Sequence, residues 1–162
     1  MHWLLDAQAL AFITVANAAP VAATRVVHHR WAFPLDAHLR WWDGRPVLGA
    51  SKTIRGIAAS ILTTTAAAPL AGWPAALGAL TAAWAMIGDI GSSFVKRRLG
   101  LPAESRVTGL DQVPESLLPL LALGRYLPLS SSDVALVVAV FFLGEVIGSR
   151  WLYRLHLRDR PY

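Results

Sequence analysis

The chain is organised by apolar runs long enough to leave water. Five can be drawn, at about 4–27, 54–70, 73–94, 113–126 and 134–153. A spanning helix takes roughly 20 residues. Five of them use most of a 162-residue chain and leave loops, not a separate soluble domain. Composition agrees: 55% of residues are apolar and only 15% charged, against about 25% charged in a soluble domain. Disorder needs the opposite balance and is excluded. The expectation is an all-α integral membrane protein with about five transmembrane helices, forming one transmembrane domain over residues 1–162. The fourth run is the weakest, because it is short and carries Pro114 and Pro119. Such prolines need neighbouring helices or water to satisfy the carbonyls they free. No Lys or Arg precedes the first run, so it reads as a permanent span, not a cleaved signal.

Charge supplies the topology. Arg25, Arg30, Arg40, Arg45, Lys52 and Arg55 fall between the first and second runs. Lys96, Arg97, Arg98 and Arg106 fall between the third and fourth. Arg150, Arg154, Arg158 and Arg160 fall at the C-terminal end, and Arg125 alone falls on the other side. Cations collect on the cytoplasmic side. Five spans therefore put the N-terminus outside, the C-terminus in the cytoplasm, and two basic loops (about 28–53 and 95–112) at the cytoplasmic face of the cell membrane. The net charge of +5 is thus read as topology and contact with anionic lipid, with no nucleic-acid partner. The absence of Cys removes disulfides, thiolate catalysis and Cys-ligated zinc. His28, His29 and His38 have no partner set for zinc and read as interfacial, as do Trp31, Trp41 and Trp42. Small-residue spans permit a homodimer without requiring one.

Three constellations sit on the basic side. The first runs through Pro34, Asp36, Asp43-Gly44-Arg45 and Gly49 to Lys52-Thr53-Ile54-Arg55-Gly56. It places hydroxyls, a Lys and an Arg at a helix start, where free N–H groups suit phosphate. It is not a P-loop: Gly44 and Gly49 have the spacing, but Ala50 stands where Lys is required and no strand precedes. The same residues suit a basic loop that only sets topology. The second is Asp89 followed by Ser92, Ser93, Lys96 and Arg97. Residues three, four and seven after Asp89 share its helix face, and an intramembrane carboxylate is costly enough to imply a role. Its bland alternative is a helix end anchored at the headgroups. The third is Asp111-Gln112-Val113-Pro114-Glu115. Asp111 and Glu115 lie one turn apart, and Mg²⁺ is typically held by one or two carboxylates plus substrate phosphates; a capped loop would look the same. Glu145 and Asn17 are further polar residues inside spans, with helix packing the simpler reading for Asn17. The chain has thirteen Arg and two Lys, and both lysines, Lys52 and Lys96, sit inside these motifs. That placement marks sites where a compact point charge is wanted.

Together these stretches resemble the CDP-archaeol synthases, relatives of the CDP-diacylglycerol synthases. The resemblance rests on Asn17 to Pro20, Pro34 with Asp36, Asp43-Gly44-Arg45, Gly49 with Lys52-Thr53-Ile54-Arg55-Gly56, Ser93-Phe94-Val95-Lys96-Arg97-Arg98-Leu99-Gly100, and Asp111-Gln112. It implies a cytidylyltransferase that joins CTP to a membrane lipid phosphate, releasing pyrophosphate with Mg²⁺ as cofactor. It further implies Lys52, Arg55, Lys96 and Asp111 as catalytic residues. Thr53, Ser92, Ser93 and Arg97 would join the cations on the phosphates, and Asp89, Asp111 and Glu115 would serve as metal ligands. Family members tend to carry a second Asp soon after the Asp-Gln pair. Here Pro114 and Glu115 follow, so either Glu115 takes that role or the metal site has one fewer carboxylate. The rival reading is a small transporter or flippase for an anionic lipid or solute, which needs charged groups along a path through the membrane.

Overall fold

A computed structural model describes residues 2–28, 30–103, 105 and 107–154, with side chains described as far as Gly148. Of the basic residues above, Arg106, Arg158 and Arg160 lie outside this set, as do His29 and the side chains of Arg150 and Arg154. Five α-helices follow in order: α1 (Trp3–Val27), α2 (Ile54–Ala67), α3 (Ala75–Arg98), α4 (Gln112–Leu123) and α5 (Ser131–Arg154). A 3-10 turn, Ala68–Ala71, prolongs α2. It begins where Pro69 removes a backbone donor and an α-helical bond becomes impossible.

The described helices that are long and apolar enough to cross a membrane are α1, α2 with its 3-10 extension, α3 and α5. At 12 residues and 1.5 Å per residue, α4 is about 18 Å long, short of a hydrocarbon core of about 30 Å. The five-helix plan therefore holds, with the fifth member a short helix packed against α3. That packing is close: a Cβ on Gly88 would meet the carbonyl of Pro114 and lie 2.8 Å from the Glu115 nitrogen. The third helix outlasts its apolar run by a turn, since Lys96, Arg97 and Arg98 stay helical.

Packing changes character along the bundle. At the end holding the α2–α3 link, large side chains form a core: Phe12, Ile13, Trp73, Leu120, Leu123, Val137 and Phe141. Phe12 and Trp73 meet with ring centroids 4.8 Å apart, and the Trp73 indole N–H donates to Gln8 Oε1 at 3.0 Å. Farther along, small residues take over, with Ala16, Ala82 and Ala85 around Met86. There the Ser60 hydroxyl donates to the Ala16 carbonyl at 2.7 Å, which draws α1 and α2 together. At the far end the helices separate around a polar cavity.

The segment between α1 and α2 is folded by side chains that satisfy backbone groups. Both oxygens of Asp36, a buried residue, are used: Oδ1 accepts from His38 N–H, and Oδ2 from Leu48 and Gly49 N–H at 2.9 Å each. Burial pushes the Asp36 carboxyl up, but these three bonds outweigh it and leave it below the ordinary carboxylate value. Arg98 clamps this segment onto α3. Its guanidinium donates to Asp43 and to the Pro46 carbonyl and lies over the rings of Trp41 and Phe94. Arg45 answers by donating to the Arg98 carbonyl at 2.6 Å.

Candidate active site

Thr53 opens α2. Its hydroxyl oxygen accepts from Gly56 N–H at 3.1 Å, the usual N-cap bond. The cap fixes the helix start and sends Lys52, immediately before it, toward α3. Lys52 Nζ lies 2.5 Å from Asp89 Oδ1. About two turns farther along α3, Lys96 Nζ lies 2.7 Å from Asp111 Oδ1 and donates to the Ser105 carbonyl at 2.9 Å. Asp111 Oδ2 accepts from Val107 N–H, and Gln112 Oε1 from Gly109 N–H, so the turn before α4 is folded by its own side chains. Asp111 Oδ1 is buried and takes no aligned hydrogen bond besides the ion pair.

These groups line one cavity of about 630 Å³. Lys52, Thr53, Asp89, Ser93, Lys96, Arg97, Asp111 and Glu115 all face it. Two of the anticipated phosphate contacts lie elsewhere. Arg55 is absent from the lining: its guanidinium donates to the carbonyls of His28 and Arg30 and to Thr24 Oγ1, tying the end of α1 to the start of α2. Ser92 is buried and donates to the Asp89 carbonyl of its own helix; the 100° step between neighbours turns Ser93 inward and Ser92 away. The lining also holds Asn17, Arg25, Ser51 and Gln112, and from α5 Gly144, Glu145 and Gly148. Of these, Ser51 and Gln112 were visible in sequence only as neighbours of charged residues.

Asp89 and Glu115 line the same cavity, on helices that touch where Gly88 meets Pro114. Among the described residues no three His, Asp or Glu are close enough to enclose an ion alone. A divalent cation here would rest on the Asp89–Glu115 pair and complete its shell with phosphate oxygens and water, which suits a hard octahedral ion. The site therefore combines two carboxylate-paired lysines, a buried guanidinium and a further carboxyl group, Glu115, an arrangement suited to neutralising phosphates.

Comparison with known proteins follows the same line. The family model CarS-like, described as CDP-archaeol synthase, matches residues 74–162. The CDP-archaeol synthase of Thermofilum pendens is 32% identical over 170 residues, covering 100% of this chain and 79% of the relative. The chain belongs to the CarS-like family of CDP-archaeol synthases. The Pyrobaculum calidifontis member is 32% identical over 160 residues, 91% of each chain. A solved structure of an intramembrane enzyme for archaeal membrane lipid biosynthesis shares the fold, with a TM-score of 0.75 and 30% identity over 87% of this chain and 90% of that one. As a CarS-like protein this chain is a membrane-embedded enzyme of the cytidylyltransferase class.

Proposed function

We propose that the protein transfers the cytidylyl group of CTP to a membrane lipid phosphate of the archaeol type, with Mg²⁺, at the cytoplasmic face. The observation that carries this reading is the single cavity onto which both lysine–carboxylate pairs, Arg97 and the Asp89–Glu115 pair converge. Its walls include Ala18 and Val21 of α1 and Gly144 of α5, so a lipid lying against those helices can bring its phosphate to the charged end. In the reaction an oxygen of the lipid phosphate bonds to the α-phosphorus of CTP. The bond from that phosphorus to the bridging oxygen breaks, and pyrophosphate leaves with the electron pair. Such transfers need positioning and charge neutralisation more than covalent chemistry. Lys52, Lys96 and Arg97 would hold phosphate oxygens, with Ser93 and Thr53 beside them. Asp89 and Glu115 would hold Mg²⁺, which when bound offsets charge on the phosphates, while Asp111 positions Lys96. A transport path is the poorer reading, because Phe12, Ile13, Trp73, Leu120, Leu123 and Phe141 fill the opposite end of the bundle.

The test uses purified protein, labelled CTP, Mg²⁺ and a panel holding phosphatidate and an ether-linked isoprenoid glycerol phosphate. The expected result is a labelled lipid with the ether-linked substrate, lost in Asp111→Asn. No labelled lipid with any member, and no Mg²⁺-dependent binding of CTP, would sink the proposal.

A further inference from the structure

A second cavity, of about 410 Å³, adjoins the first. It lies between the segment preceding α2 and the end of α3, and is lined by the cations Arg40, Arg45 and Arg97 with His38 beside them. Arg97 belongs to both cavities. Its side chain is buried and its Nε has no hydrogen-bond partner among the described residues, so the guanidinium keeps a donor for an anion. The partition between the cavities is thin. Gly49 and Ala50 face the second one, while Ser51 and Lys52 face the first. An ideal Cβ on Gly49 would lie 3.8 Å from Arg97 Nη1.

The acid among the described lining residues, Asp36, spends three of its acceptor positions on backbone N–H groups, so it serves the loop's fold. Among the described residues no Phe, Tyr or Trp lines the space, so it lacks an aromatic wall for a base. Among the described residues its walls come from loops and the end of α3, without α1 or α5, which leaves no channel for a lipid tail. What remains is a small, highly charged anion without an apolar part. We propose that this cavity is the exit site for pyrophosphate, which passes from the catalytic cavity along Arg97 to Arg40, Arg45 and His38. The inference rests on the cytidylyltransferase reading only for the source of the anion.

The experiment measures inorganic pyrophosphate binding to the full-length protein in neutral detergent by calorimetry, beside the KM for CTP, in wild type, Arg40→Gln and Arg40→Lys. The expected result is a pyrophosphate dissociation constant raised about tenfold in Arg40→Gln, the loss of one charged contact. Arg40→Lys should recover most of it, with the KM for CTP within about twofold of wild type throughout. Should Arg40→Gln fold poorly, since Arg40 also donates to the Gly44 carbonyl, His38→Ala carries the same expectation. An unchanged pyrophosphate constant would overturn the proposal. So would a KM for CTP that rises in step, which would make the cavity part of the substrate site, or displacement of pyrophosphate by phosphatidylglycerol micelles, which would make it a headgroup site. Absence of CDP-lipid formation beside an intact Arg40 effect would sink the enzymatic reading and leave the anion site standing.

Discussion

Lys52 and Arg55 stand three residues apart and are used for different things. Lys52 meets Asp89 in the cavity, while Arg55 donates to three acceptors that hold the segment after α1. Lys52→Gln would leave Asp89 and Glu115 facing each other without the cation. Single-turnover formation of CDP-lipid is expected to fall about 10²- to 10³-fold, the scale of removing one preorganised charge. Lys52→Arg should not restore it, because a planar fork does not replace a point charge at 2.5 Å. Arg55→Gln should instead lower thermal stability by about 1–3 kcal/mol while the KM for CTP stays near wild type; a large rise in that KM would return Arg55 to the substrate. The lysines were legible because the chain keeps only two of them and a motif preserves spacing. The direction of Arg55 was not legible. It depends on carbonyls at positions 28 and 30, which no pattern around position 55 encodes. Ser92 and Ser93 make the same point, since spacing from Asp89 admits both to one face and only the packed helix separates them.

At the scale of elements, apolar runs place all five helices, and the differences fall at their ends. The third run was drawn to 94, but α3 continues to Arg98 because the cations find partners at its end: Asp43 for Arg98 and Asp111 for Lys96. The segment before α2 was legible only as motifs, since its fold rests on Asp36 and Arg98 binding backbone groups distant in sequence. Asp36→Asn tests this. Its folded pKa is below the ordinary value, so its contribution is present above the unfolded carboxylate value near about 4 and is lost as pH falls through the folded value. Thermal unfolding should show a wild-type advantage of about 1–3 kcal/mol at neutral pH, closing only in acid below about pH 4. A gap that widened in acid would contradict the assignment. Helix contacts give a paired test. Gly88→Ala drives a methyl into the Pro114 carbonyl, and Gly78→Ala drives one to 2.5 Å from the Thr64 carbonyl oxygen. Each should cost about 1–3 kcal/mol as overpacking. Only Gly88→Ala should also depress CDP-lipid formation, because α4 carries Glu115 and begins beside Asp111.

For the molecule as a whole, the order of environments is the functional statement: an apolar core at one end, small residues in the middle, a charged cavity at the other. Arg25, Arg30, Arg40, Arg45, Lys52, Arg55, Lys96, Arg97 and Arg98 belong to the cavity end. Arg125 follows α4, whose start lies at that end, and so belongs to the opposite one. The positive-inside rule predicts a cavity facing the cytoplasm, the side that supplies CTP, with the N-terminus outside. Because the chain lacks cysteine, each engineered thiol is the sole label site. Ala50→Cys and Ser131→Cys replace exposed residues near the two ends. In sealed right-side-out vesicles an impermeant maleimide should label Ser131→Cys and spare Ala50→Cys until the membrane is opened. The reverse pattern would place the cavity outside, away from its nucleotide, and would set the charge distribution and the proposed reaction against each other. Equal labelling of both before opening would mean that position 50 is reached through the bundle, and the apolar end would then not be a seal. The expected asymmetry follows from the same cations that line the site, so one experiment reads the topology and the chemistry together.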